Sequence, residues 1–140
     1  MSSLDVWFGQ VWDAIVAKVV AITDFGASKV FWGKKFPIAV FPAAYVQPTM
    51  VEGTPKTWTE TDWAPVFTIY IVVENPDSKA GVLTAWQLGW KIITALQTDR
   101  SLGGLLNTLT CGPLLDSPEG LGRGTEQHWV SVAVRCQRKM

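Results

Sequence analysis

The chain has 140 residues, a size at which one domain buries roughly 68–70% of its unfolded surface, so a single domain needing no disulfide or metal staple is expected. Twelve Lys plus Arg balance twelve Asp plus Glu, which removes bulk electrostatic attraction to nucleic acid or to an anionic membrane. Eight Trp beside only 17% charged residues point either to an aromatic core or to surface buried by self-association, since tryptophan is favoured in both.

Ser2-Ser3-Leu4-Asp5 offers a hydroxyl cap followed by an acid, and Leu4, Trp7, Phe8, Val11, Ile15, Val19 and Ile22 then trace one helical stripe. A helix from Leu4 to Ile22 is predicted, with Gly26 placed to end it. Its opposite side carries Asp5, Gln10, Asp13 and Lys18 but also Trp12 and Val16, which predicts partial burial against a subunit or a neighbouring protein. The same polar residues break the apolar run that a secretory signal needs. No uninterrupted apolar window of about 18 residues exists, which argues against a transmembrane helix.

The stretch 27–35 reads as a solvated turn containing the basic pair Lys34 and Lys35. Phe36 to Val46 has strand composition with prolines at Pro37 and Pro42. Proline cannot donate to a ladder, so an edge strand, or one bulged near Pro42, is expected. An open edge of this kind invites pairing with another chain. The segment 47–64 holds Pro48, Gly53 and Pro55, with Trp58 and Trp63 set among charges. It is long for a hairpin connection. An extended hairpin arm whose tryptophans dock on a partner is favoured over a self-packed or a disordered loop.

Val66 to Val73 is nearly unbroken β-branched and aromatic sequence between Pro65 and the turn Asn75-Pro76-Asp77-Ser78, the pattern of a buried strand. Asp77 or Ser78 can cap the helix that follows. On it Leu83, Trp86, Trp90, Ile93 and Gln97 form one row and Val82, Ala85, Gly89, Ile92 and Leu96 a second. Two apolar rows require cover over much of the circumference, more than one sheet provides; the rest calls for a further element or another subunit. Asp99 to Leu105 is a glycine-rich turn. Thr108 to Leu115 reads as a short strand stopped by Gly112 and Pro113, followed by a flexible loop over 116–125. Glu126 to Arg138 alternates between two faces, His128, Val130, Val132, Val134 and Cys136 against Gln127, Trp129, Ser131, Ala133 and Arg135, as in a half-exposed antiparallel strand.

These elements predict an α+β fold: a mainly antiparallel four-stranded sheet packed against two helices, with a long hairpin arm. No catalytic, cofactor or metal signature accompanies them. His128 is the only histidine and lies within a strand, Cys111 and Cys136 are expected as free buried thiols, and Asp62, Glu74, Asp99, Asp116 and Glu126 fall in loops or at element ends. Of these acids Glu74, at the close of the central strand, is the one placed to matter. The glycines of the 116–125 loop lack the following helix N-terminus that a phosphate cradle requires. A non-enzyme without cofactors is therefore expected.

The buried strand closing on Val73-Glu74-Asn75, the long helix, and the turn Leu96-Gln97-Thr98-Asp99-Arg100-Ser101-Leu102-Gly103-Gly104-Leu105 together resemble the tail terminator (tail completion) proteins of long-tailed bacteriophages. The resemblance covers Val66 to Cys111 and extends to the flanks by element order. It implies a virion structural protein of the tail and neck region, assembled in the host cytoplasm. Such a protein forms a hexameric ring that closes the tail tube, joins the head-tail connector or head completion protein, and lets DNA pass through its lumen. Other neck adaptors, and less readily an aromatic nucleic-acid-binding module, are the alternatives. Under this reading the subunit and partner contacts draw on Phe41, Tyr45, Trp58, Trp63, Trp129 and Arg135, and Lys34 and Lys35 face DNA.

Overall fold

The central strand runs further than its apolar core. In the computed structural model, which describes residues 3–33, 41–55, 57–58, 61–116 and 127–138, β3 spans Thr61–Glu74. It lies between β2 (Ala43–Pro55) and β5 (Gln127–Arg138), antiparallel to both. Two further strands, β1 (Val30–Phe31) and β4 (Leu106–Asp116), complete a sheet of order β1-β2-β3-β5-β4. The four-stranded antiparallel expectation is corrected by one strand. β1 lies in the stretch read as a solvated turn and pairs parallel to β2 through Val30 with Ala44 and Phe31 with Tyr45. Two residues are too few to register as a strand by periodicity.

Helices α1 (Ser3–Val20) and α2 (Ser78–Gln97) pack on one face of this sheet. Val11, Ile15, Val16 and Val19 of α1 and Ala85, Leu88, Ile92 and Leu96 of α2 meet Phe67, Ile69, Ile71, Val130, Val132 and Val134 in the main core. Of Trp12 and Val16, expected to be partly buried against another molecule, the chain itself buries Val16 and half-buries Trp12. Val16 is buried, and the Trp12 indole stands near the Phe67 ring while its Nε1 donates to Val46 O at 3.0 Å. Trp7 Nε1 donates to Leu105 O at 2.8 Å, so both α1 tryptophans pin the helix to distant parts of the chain. α1 ends at Val20, before the expected Ile22. Gly26, at φ +69°, introduces a short 3-10 helix (Ala27–Lys29).

At the start of α2, Asp77 is the cap: its Oδ1 accepts from Ala80 N at 3.1 Å, and its own N–H donates to Asn75 Oδ1 at 2.9 Å. Of the stretch Phe36–Val46, for which edge character was expected, only residues 41–46 are described. Residues 34–40 lie outside the described set, β2 begins only at Ala43, and its first residues are flanked by β1 and β3. Among the described residues no strand pairs with β2 on the β1 side past Tyr45, and there a bulge falls between Pro48 and Met50, where a missing N–H costs no ladder bond. Pro65 is tolerated likewise, because pairing of β3 with β5 stops at Val66–Arg135. Gly112 and Pro113 do not end β4. The strand passes through them with a register shift between Cys111 and Leu114, Gly112 taking φ +119°.

Candidate subunit interface

Beyond Val66 the sheet narrows to two strands. β2 and β3 continue in register from Met50–Val66 to Pro55–Thr61, a ribbon of backbone pairs with no third strand beside it among the described residues. This is the hairpin arm, its two sides being Met50–Pro55 and Thr61–Val66. Met50 and Val51 are exposed on it, and Trp58 at its end is fully exposed. Trp63 is half-buried against its own strand partner: a Cβ at Gly53 would meet the indole at 2.8 Å, so the glycine is what lets the ring lie flat across the ribbon. At the base of the arm Arg135 Nε donates to Glu52 Oε1 at 3.3 Å, with both side chains partly in water.

On the sheet face away from the helices, Tyr45 stacks on Tyr70 with centroids 4.8 Å apart and meets Trp129 edge-on at 6.0 Å. Ala43, Val72, Phe31 and Phe41 pack with them. Tyr45 has no exposed surface and Trp129 has 4%, so neither offers area to a partner. The expectation that they form subunit contacts is corrected: alternation puts them on the face opposite the helices, and aromatic neighbours across the strands bury them there. Phe41 is half-buried at the rim of this cluster. Of the six predicted contact residues, the structure brings Phe41, Tyr45 and Trp129 into one cluster, joins Arg135 to the arm through Glu52, and leaves Trp58 as the one wholly exposed. Lys34 and Lys35 lie outside the described residues, as do residues 117–126 of the glycine-rich loop.

The exposed apolar surface that strand-based reasoning passed over is on α2. Leu83 is 52% and Trp90 60% exposed, with Val82 beside them. The second row of α2 is mostly in the core while the first remains largely outside, and that excess of apolar rows was the sequence signal. Beside this stripe a groove of about 430 Å³ runs between the turn after α1 and α2, lined by Ala21, Ile22, Asp24, Lys91, Thr94 and Ala95. Lys91 Nζ binds Asp24 Oδ2 at 2.7 Å on its wall.

Polar groups elsewhere are engaged structurally. His128 Nε2 lies 3.0 Å from Asn75 O, bridging β5 to the turn before α2. Glu74 is exposed at the end of β3. Burial pushes the Cys111 thiol up to about 11 and the Cys136 thiol up to about 12, which leaves both protonated and poorly nucleophilic. Asp99, at the turn after α2, accepts from Ser101 Oγ at 3.0 Å and Gly103 N at 2.9 Å and lies 3.7 Å from Lys18 Nζ. The Ser101 bond first, then Gly103 and Lys18, hold its carboxyl below the usual range against an opposing desolvation. These bonds brace a backbone in which Leu102, Gly103 and Gly104 all have positive φ. The turn that carries the family resemblance is thus an architectural device. Among the described residues no three His, Cys, Asp or Glu side chains gather to hold a metal ion, and no helix is long and apolar enough to cross a membrane.

No protein-family model and no curated protein matches the chain. Among solved structures, the fold is similar to that of a chain from the virion of a native gene transfer agent particle, at a TM-score of 0.61 and 13% identity over 95% of this chain and 97% of that one. A second solved chain is 17% identical with a TM-score of 0.56, over 100% of this chain and 98% of that one. At such identities the likeness is one of fold, and it runs nearly end to end in both.

Proposed function

We propose that this protein is a virion structural component that forms a ring at the end of a long tail and joins the tail tube to the head-tail connector. The observation that carries the reading is the fold shared over almost the whole of both chains with a component of a gene transfer agent particle. It agrees with the resemblance of Val66 to Cys111 to tail terminators. The arm adds a physical reason for assembly: a two-stranded ribbon with an exposed tryptophan gains little by standing in water. In this reading Trp58, Trp63, Phe41 and Arg135 contribute to subunit and tail-tube contacts. Lys34 and Lys35 face a DNA-containing lumen, and the assembly is hexameric.

Electron images and mass measurement of the purified chain, alone and with tail-tube protein, test this. Rings with a central opening are expected. A monomer that stays monomeric at every concentration and ignores the tail tube would overturn it.

A further inference from the structure

We draw no further inference here: the strongest candidate, the exposed stripe of Val82, Leu83 and Trp90 on the outer side of α2, is an unpartnered apolar face, and nothing in the structure shows what covers it.

Discussion

The imidazole of His128 covers the backbone of Gly81, so that a Cβ at position 81 would overlap the ring. The ring is held in place by Asn75 O, 3.0 Å from its Nε2. The first turn of α2 therefore approaches β5 as closely as a helix without a side chain allows.

Gly81→Ala should destabilise the fold by about 1–3 kcal/mol, the usual cost of overpacking, despite alanine's higher helix propensity. The urea midpoint would fall. In a His128→Ala background the same substitution should cost much less, and equal penalties in the two backgrounds would show that the ring is not the obstacle.

The α1 tryptophans should behave as structural donors. Trp12→Phe keeps an aromatic ring near Phe67 but leaves Val46 O without its 3.0 Å partner, at about 1–2 kcal/mol. Trp7→Phe does the same to Leu105 O. Urea unfolding followed by fluorescence measures both, and neither substitution should alter the assembly state of the folded protein.

The thiols predict an alkaline limit. Cys111 and Cys136 are raised from 9.0 to about 11 and about 12 by burial, so the unfolded chain loses their protons first. Their stabilising contribution is complete below pH about 9 and is lost as pH rises through the folded values. Stability should decline above pH 9, less steeply in a Cys136→Ala variant even though that variant is weaker overall. At pH 8 a thiol reagent should label Cys136 only as fast as the protein opens.

Asp99 predicts the opposite slope. Its carboxyl is depressed by Ser101, Gly103 and Lys18, so its contribution is present above its ordinary value of 3.8 and fades as pH falls through the lower folded one. Asp99→Asn should flatten the acid limb of the stability profile. The group is exposed, so the change should be small.

Arg135→Ala should cost at most about 1 kcal/mol, as partly exposed ion pairs do. A much larger loss in chemical denaturation would mean that the Glu52 contact organises the arm base. Loss of assembly without loss of stability would instead place Arg135 at a subunit contact.

Periodicity alone determined both helices, the central strand and the last strand, because each presents a repeat of about 3.6 or 2 residues or an unbroken β-branched run that local geometry must obey, whereas the hairpin arm was one of three readings of a long segment. A cap at Asp77 or Ser78 and the turn at Asp99 were equally legible, being bonds between near neighbours, and the structure chose Asp77. Only the tertiary structure decided what pairs across long separations: β1 beside β2, a strand carried through Gly112-Pro113, and Trp12 turned onto Val46. It also decided which aromatic residues are surface. Tyr45 and Trp129 alternate as outward residues should, yet strand order places them together and buries them, while Leu83 and Trp90 stay exposed because one sheet can cover only one side of α2. Burial depends on which elements become neighbours, and a one-dimensional pattern specifies faces without specifying what stands against them.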